Sequence, residues 1–162
     1  MSGRVLKWLQ NYLENRQQRV IIKSHSSKWR DIEAGVPQGS ILGPLMFLIY
    51  INDIVYNINS SIKLFADDTT LYIAVETPQI ASEILNSDLE KINNWSKQWL
   101  VDFNPAKTEC LIFSNKLKAV SHPDLVFDNS PLKSVNIHKH LGLVFTSNGS
   151  WNNHVYNILE KA

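Results

Sequence analysis

Apolar residues near the start of the chain recur at the spacing of an α-helix. Val5, Trp8, Leu9 and Tyr12 would share one side of that helix, and polar residues occupy the other side. The pattern predicts an amphipathic helix over residues 4–16.

A second and longer helical pattern lies in the middle of the chain. One apolar side continues from Ile80 to Trp99, and Thr77-Pro78 before it is typical of a helix start. Asn104-Pro105 should end the segment, because proline cannot continue a helix. We therefore expect a long amphipathic helix that packs by one side.

Between these two helices lies the most apolar part of the chain. A loop with two glycines and a proline, residues 35–40, precedes a helix predicted from about Pro44 to Tyr56. Because this helix is apolar on nearly every side, we expect it to be buried.

Strand-like segments separated by short turns predict β-hairpins. Residues 19–23 and 28–32 flank a predicted turn at residues 25–27. Residues 61–66 and 69–74 are separated by only two residues, which predicts a tighter hairpin. Three more short strands are predicted at residues 110–113, 125–127 and 141–145.

Together these elements predict an α+β fold in which helices back a mainly antiparallel sheet, as a single domain over residues 1–162. A chain of 162 residues that is 44% hydrophobic can bury a core of its own, which argues against a disordered chain. Most of the five tryptophans, at helical or strand spacing, are expected in that core, although exposed ones could stack on bases.

Cysteine content and hydropathy bear on the compartment. The single cysteine, Cys110, excludes an internal disulfide and a cysteine-based zinc site. The longest apolar run, residues 41–51, is shorter than the roughly 20 residues that cross a bilayer, and the N-terminus lacks the apolar core of a signal peptide. We expect a soluble intracellular protein without a membrane partner, in either the nucleus or the cytoplasm.

Charge is unevenly distributed, although the formal net charge is only +1. Residues 1–30 carry seven Lys or Arg against one acid, whereas residues 31–102 carry three against ten. The basic region is suited to contact with a polyanion, and the acidic region is suited to binding cations. The basic region contains a cluster that suits a nucleic-acid backbone or, equally, a solvated hairpin: Arg16, Arg19, Lys23, Lys28 and Arg30.

Two adjacent aspartates, Asp67 and Asp68, separate the strand-like segments of the tighter hairpin. At a hairpin tip they would concentrate negative charge on exposed side chains, which suits hard divalent cations such as Mg²⁺. Two such ions about 4 Å apart can activate a hydroxyl and stabilise the leaving oxygen of phosphoryl transfer. Taken alone, such a pair is far more often an ordinary turn than a metal site, because aspartate tolerates left-handed backbone and hydrogen-bonds locally.

Three motifs in a fixed order carry a resemblance to a known family. Gly35-Val36-Pro37-Gln38-Gly39-Ser40 precedes an apolar helix that ends Tyr50-Ile51-Asn52-Asp53-Ile54, and Phe65-Ala66-Asp67-Asp68 follows. The chain resembles the reverse transcriptase of non-LTR (LINE-like, jockey-like) retrotransposons over nearly its whole length. The resemblance implies a partial polymerase palm with an N-terminal fingers-side hairpin in residues 1–150, and only the start of a thumb-like helix in residues 151–162.

The resemblance implies a catalytic role for residues of the aspartate hairpin. Asp67 and Asp68 match the aspartates that bind catalytic metal, and Phe65 and Ala66 match the positions that present them beside the primer end. Lys107 matches a lysine near the incoming triphosphate, where a cation could stabilise or protonate the leaving pyrophosphate. Taken alone, a single lysine in a loop is more often an ordinary solvated charge.

Two further segments gain roles from the resemblance. Pro37, Gln38 and Gly39 match the motif that lines the nucleotide and template pocket, where glycine permits close approach of the backbone and the glutamine amide can hydrogen-bond both ways. Leu141 and Gly142 match the hairpin that grips the primer strand.

The activity implied is RNA-directed DNA polymerisation, a nucleotidyl transfer that depends on Mg²⁺ or Mn²⁺. A primer 3′-hydroxyl attacks the α-phosphate of a deoxynucleoside triphosphate on an RNA template, and pyrophosphate leaves. The family uses a third carboxylate on an earlier strand, which this chain begins too late to contain. We therefore expect the chain alone to be inactive, to lack an N-terminal part of the polymerase, and to expose a sheet edge that favours pairing with another chain.

Two other classes of function stay open. A non-catalytic nucleic-acid-binding or assembly module would use the basic N-terminal region and the open sheet edge. A carboxylate–metal hydrolase would need further ligands or a general base, and His25, His122 and His154 show no spacing that supplies them.

Overall fold

The computed structural model describes residues 3–114 and 122–161, and the chain divides into two compact units, Met1–Asp53 and Ile54–Ala162. Helices and small, mainly antiparallel sheets alternate along the chain, which confirms a mixed helix and strand fold. Instead of the single sheet that was expected, the strands of the described residues form six separate two-stranded sheets, one of them parallel.

The first unit contains two helices and a long hairpin of four short strands. In chain order these elements are α1 (Arg4–Leu13), β1 (Arg16–Gln18), β2 (Ile21–Ile22), β3 (His25–Ser26), β4 (Arg30–Ile32) and α2 (Leu42–Ile51). Strand β1 pairs with β4 and β2 with β3, both antiparallel. The turn is Lys23-Ser24 rather than the predicted residues 25–27, because Lys23 adopts the left-handed φ of 55° that a two-residue turn favours.

Helix α2 is more exposed than its apolar composition predicts. Ile49 is 64% exposed and Leu48 is also exposed, whereas only Gly43 and Ile51 of this helix are buried. The expectation of a buried helix is therefore wrong for this unit. A unit of two short helices and four short strands has too little chain to surround a helix on every side.

The second unit is built around one long helix and several hairpins. In chain order its helices and strands are β5 (Ser61–Phe65), β6 (Asp68–Tyr72), α3 (Pro78–Trp99), β7 (Glu109–Leu111), β8 (Val126–Phe127), β9 (Ser130–Pro131), β10 (Lys133–Val135), β11 (Ile137–His140), β12 (Leu143–Thr146) and α4 (Asn152–Leu159). Successive strands pair in β5–β6, β8–β9 and β11–β12, and β7 pairs in parallel with β10. A 3₁₀ turn at Pro105–Lys107 precedes β7.

Helix α3 confirms the helix predicted from apolar spacing, and it supplies much of the core of the second unit. Leu89 and Ile92 are buried on this helix, and Phe127 of β8 is buried with its ring edge-on to Phe103 at 5.9 Å. Leu100 ends the helix in the left-handed conformation, with φ 55°. Within the residues that the structure describes, no helix combines the length and the apolar content that crossing a membrane requires.

Tryptophan side chains lie mainly at the surface. Trp8, Trp29 and Trp151 are each more than half exposed, which contradicts their predicted place in the core. Each covers part of its ring by a local contact instead: Trp8 stacks on Tyr12, Trp29 contacts the Arg19 guanidinium, and Trp151 packs against Phe145. Such pairs remove apolar ring surface from water without burial in a core.

Candidate active site

Strands β5 and β6 form the hairpin that carries the aspartate pair. The register pairs Phe65 with Asp68, so the two turn residues are Ala66 and Asp67. Ala66 adopts the left-handed region with φ 51°, a conformation that side chains disfavour and that is enriched at functional sites. Asp67 thus lies in the turn, and Asp68 is the first residue of β6. Both aspartates, with Phe65 and Ala66, are exposed.

The donor atoms of this hairpin fit part of a magnesium site. Mg²⁺ commonly uses one or two protein carboxylates and completes its shell with water and phosphate oxygens. Asp67 and Asp68 supply two exposed carboxylates of this kind. Across residues 3–114 and 122–161, no three His, Cys, Asp or Glu side chains come together as a set of metal ligands. The two aspartates are therefore a partial donor set that needs further oxygens.

Asp88 of helix α3 fixes the chain just before β5. Its carboxylate is fully buried and accepts hydrogen bonds from the backbone N–H groups of Asn59 at 2.9 Å and Ser60 at 2.7 Å. Lys91 Nζ donates to the same carboxylate at 2.8 Å and to the carbonyl of Asn57 at 2.8 Å. Burial by itself raises the pKa of Asp88, but the hydrogen bonds from Lys91 and the two N–H groups outweigh it and lower the pKa from 3.8 to about 2. The carboxylate stays charged and holds the base of the aspartate hairpin.

The hairpin of β11 and β12 turns at Leu141-Gly142. His140 pairs with Leu143, and the two residues between them have φ values of 48° and 86°. Two positive φ values are the signature of a type I′ turn, which usually contains Asn or Gly at both positions. Leucine is an unusual residue there, and Leu141 and Gly142 are both exposed.

A polar contact joins this hairpin to the aspartate hairpin. Thr70 Oγ1 lies 3.4 Å from His140 Nε2, and Thr70 follows Asp68 by two residues on β6. The ring of His140 stacks on His138, whose Nδ1 lies 2.9 Å from Glu109 Oε2. The hydrogen bond with His138 is the main cause that lowers the pKa of Glu109. The Leu141-Gly142 turn and the aspartate pair therefore lie on hairpins that contact each other through Thr70 and His140. Sequence spacing did not indicate a role for either of these two residues.

Lys107 lies in the exposed 3₁₀ turn before β7. Asn104 organises that turn, since its side-chain oxygen accepts a hydrogen bond from Ala106 N–H at 3.0 Å. Among the ion pairs of the described residues, none involves Lys107. Its ammonium group is therefore available to a ligand, but no described contact ties it to either aspartate.

The loop that contains Pro37, Gln38 and Gly39 belongs to the first unit and is held by hydrogen bonds from Ser40. Ser40 Oγ donates to the Pro37 carbonyl at 2.8 Å and accepts from Tyr12 Oη at 2.5 Å. Gly39 has φ 80°, a backbone conformation that favours glycine. Gln38 and Gly39 are exposed, and Pro37 is half-buried.

Two further residues shape this loop, and sequence reasoning did not assign that role to either of them. Arg16 donates from Nε to the Leu13 carbonyl at 2.7 Å and from its terminal nitrogen to the Gly35 carbonyl, so its guanidinium braces the loop. A Cβ on Gly43 would lie 3.0 Å from Ser40 Oγ and 3.1 Å from the Pro37 carbonyl oxygen. Arg16, predicted to bind a phosphate backbone, is thus occupied by backbone carbonyls, while Arg19, Lys23, Lys28 and Arg30 are exposed.

A family model and similar curated proteins agree on one family for this chain. A family model described as reverse transcriptase (RNA-dependent DNA polymerase) matches residues 2–145. The chain is 28% identical over 156 residues to the protein named "Probable RNA-directed DNA polymerase from transposon X-element" of Drosophila melanogaster, covering 93% of this chain and 17% of that protein. It is 26% identical over 158 residues to the RNA-directed DNA polymerase from mobile element jockey of the same organism, again covering 93% of this chain and 17% of the relative. No solved structure matches the chain at a significant level.

Proposed function

We propose that this chain, which belongs to the reverse transcriptase (RNA-dependent DNA polymerase) family, forms part of the palm of an RNA-directed DNA polymerase of a non-LTR retrotransposon. The observation that carries the proposal is the β5–β6 hairpin. Asp67 in its two-residue turn and Asp68 at the start of β6 are both exposed, directly after Phe65-Ala66. In this account the two aspartates hold the catalytic Mg²⁺, or Mn²⁺ in its place.

The proposed reaction is attack of a primer 3′-hydroxyl on the α-phosphate of a deoxynucleoside triphosphate, with pyrophosphate leaving. Bound Mg²⁺ would neutralise phosphate charge and favour the attacking alkoxide. The carboxylates of Asp67 and Asp68 would hold the positive charge of the metal at the hairpin tip. The Leu141-Gly142 turn, which the Thr70–His140 contact holds beside β6, positions the primer strand.

Lys107 and residues 37–39 are each assigned a contact with the substrates. The exposed ammonium of Lys107 stabilises the pyrophosphate as negative charge develops on it. Pro37, Gln38 and Gly39 contact nucleotide and template, and the Ser40 hydrogen bonds hold their loop in shape. The partners are therefore an RNA template, a DNA primer and deoxynucleoside triphosphates.

The chain alone is proposed to be inactive as a polymerase. Asp67 and Asp68 are not joined by a third ligand among the described residues, and a two-ion site uses a bridging carboxylate set. The chain also spans only 17% of the length of the first relatives it matches. In a primer-extension assay the 162-residue polypeptide should therefore add no nucleotides, and measurable extension would contradict this part of the proposal.

A chimera tests the catalytic assignment. Residues 3–161 replace the matching segment of the jockey polymerase, and RNA-templated extension of a DNA primer is measured with and without Asp67→Ala. We expect the unsubstituted chimera to extend the primer and Asp67→Ala to abolish extension, whereas the exposed control Asp124→Ala retains it. A folded chimera that extends equally well with Asp67→Ala, or that binds primer–template and never extends it, would contradict the proposal.

A second candidate function is a non-catalytic nucleic-acid-binding module. The observation that favours it is the exposed basic hairpin β1–β4, whose charge does not depend on the aspartates. This candidate predicts RNA binding that Asp67→Ala leaves unchanged and that Mg²⁺ does not strengthen. Loss of RNA binding in the Asp67→Ala protein would exclude it.

A further inference from the structure

The β1–β4 hairpin carries an unbalanced positive charge. Residues 16–32 contain five Lys or Arg and one acid, Asp31, which accepts a hydrogen bond from the Gln17 amide at 2.7 Å. Among the residues that the structure describes, no ion pair involves the four exposed basic side chains Arg19, Lys23, Lys28 and Arg30. Uncompensated, exposed charge of this density suits a polyanion.

The middle of the hairpin has more residues on one side than on the other. The β1–β4 pairing ends with Gln18 opposite Arg30 and the β2–β3 pairing begins with Ile21 opposite Ser26, so residues 19–20 lie between the paired strands on one side and residues 27–29 on the other. Ser27 joins the two sides, since its N–H donates to the Val20 carbonyl at 2.9 Å and its Oγ accepts from Val20 N–H at 3.0 Å. These unpaired segments contain Arg19 on one side and Trp29 on the other.

Arg19 and Trp29 form a cation–π pair at the surface. The Arg19 guanidinium carbon lies 4.6 Å from the centre of the Trp29 ring, and Trp29 stays 56% exposed. The guanidinium orders the indole by a cation–π contact without enclosing it. Indole and guanidinium planes are the groups on which proteins stack unpaired bases.

We propose that the Arg19–Trp29 pair is a base-stacking platform for single-stranded nucleic acid, with Lys23 and Lys28 contacting phosphates of the same strand. A duplex hides the faces of its bases, so the pair selects unpaired strands. The inference rests on the proposed function only for the class of ligand, since no metal, aspartate or catalytic step enters it.

A matched pair of probes separates stacking from simple charge attraction. The full chain is titrated into a fluorescein-labelled single-stranded DNA, and into a strand of equal length and phosphate number that carries abasic sites, with fluorescence anisotropy as the readout. We expect Trp29→Ala to weaken binding of the intact strand by about 5- to 150-fold. On the abasic strand, Trp29→Ala and the unsubstituted protein should bind alike. Trp151→Ala, which removes an equally exposed tryptophan elsewhere, should leave both affinities unchanged.

Salt dependence and a conservative variant distinguish the two kinds of contact. Lys23→Ala and Lys28→Ala should each reduce the slope of log affinity against log salt by about 0.7, while Trp29→Ala leaves the slope unchanged. Trp29→Phe keeps an aromatic plane and should restore part of the affinity. Circular dichroism of each variant checks that the fold is retained.

Three results would overturn the inference. They are equal binding of the intact and abasic strands by the unsubstituted protein, equal losses for Trp29→Ala and Trp151→Ala, and tighter binding of a duplex of the same sequence. If the chimera still depends on Asp67 for primer extension when one of these results is found, the proposed function stands and only the stacking platform fails. If extension does not depend on Asp67 but Trp29→Ala weakens binding as expected, the stacking platform stands and the proposed function fails.

Discussion

Asp88→Asn is the substitution that most directly tests how the aspartate hairpin is held. The buried carboxylate of Asp88 accepts the N–H groups of Asn59 and Ser60 and the ammonium of Lys91. The amide of asparagine keeps the shape of the side chain but turns one of its acceptors into a donor, which then faces other donors. The substitution should therefore loosen the start of β5 without leaving a cavity.

The size of the effect follows from the pKa of Asp88. A carboxyl whose pKa is 3.8 when unfolded and about 2 when folded stabilises the folded protein by about 2 kcal/mol at neutral pH, since each pKa unit corresponds to about 1.4 kcal/mol. Because the folded pKa is the lower one, this stabilisation is complete above pH 4 to 5. It declines as the pH falls through 3.8 and is lost at about pH 2.

Urea denaturation at several pH values checks both the size and the sign. At neutral pH, Asp88→Asn should lower the free energy of unfolding by about 2 kcal/mol, and the difference from the unsubstituted protein should shrink as the pH is lowered toward 2. Amide hydrogen exchange at Asn59 and Ser60 should accelerate in the same variant. Glu90→Gln, an exposed site on the same helix, is the control. A loss below about 0.5 kcal/mol, or a difference that stays constant down to pH 2, would contradict the stabilising role of the Asp88 carboxylate.

Three smaller predictions concern the loop, the second hairpin and the cysteine. Gly43→Ala should lower the free energy of unfolding by about 1 kcal/mol, because the crowding of the new Cβ exceeds the helix propensity that alanine gains; a more stable variant would contradict the close approach to Ser40. Leu141→Asn should raise the melting temperature, since asparagine adopts the φ of 48° at a free-energy cost about 1 kcal/mol lower than that of leucine. A lower melting temperature would show that the leucine side chain itself stabilises the hairpin. Burial raises the pKa of the Cys110 thiol, so iodoacetamide should alkylate it near neutral pH much more slowly in the folded protein than in urea, as mass spectrometry would show; equal rates would contradict the burial.

Local pattern was enough to predict the elements that carry the candidate site. Apolar spacing located α3, and the two-residue separation of strand-like segments located the β5–β6 hairpin. The exact turn was harder to predict. The sequence predicted a turn at Asp67-Asp68, but the turn residues are Ala66 and Asp67. The left-handed position of the turn is occupied by Ala66, although aspartate tolerates that conformation better.

Contacts between distant segments were beyond the reach of sequence pattern. The bond of Asp88 to the N–H groups before β5 and the approach of His140 to Thr70 depend on how helix and hairpins pack, and a hydrophobic period does not encode such pairings. Burial was overestimated for α2 and for the tryptophans. An apolar composition shows that burial of a side chain is favourable, but it does not show whether enough of the chain is available to cover that side chain.

Binding of a divalent metal by Asp67 and Asp68 can be measured residue by residue. Mn²⁺ is titrated into the isotope-labelled protein, and paramagnetic broadening of backbone amide signals is followed by NMR, with and without a deoxynucleoside triphosphate. We expect broadening centred on residues 65–70, strengthened by the triphosphate because its oxygens complete the metal shell, and lost in the Asp67→Ala protein. Broadening centred elsewhere, or equal broadening in Asp67→Ala, would contradict the claim that this hairpin holds the metal.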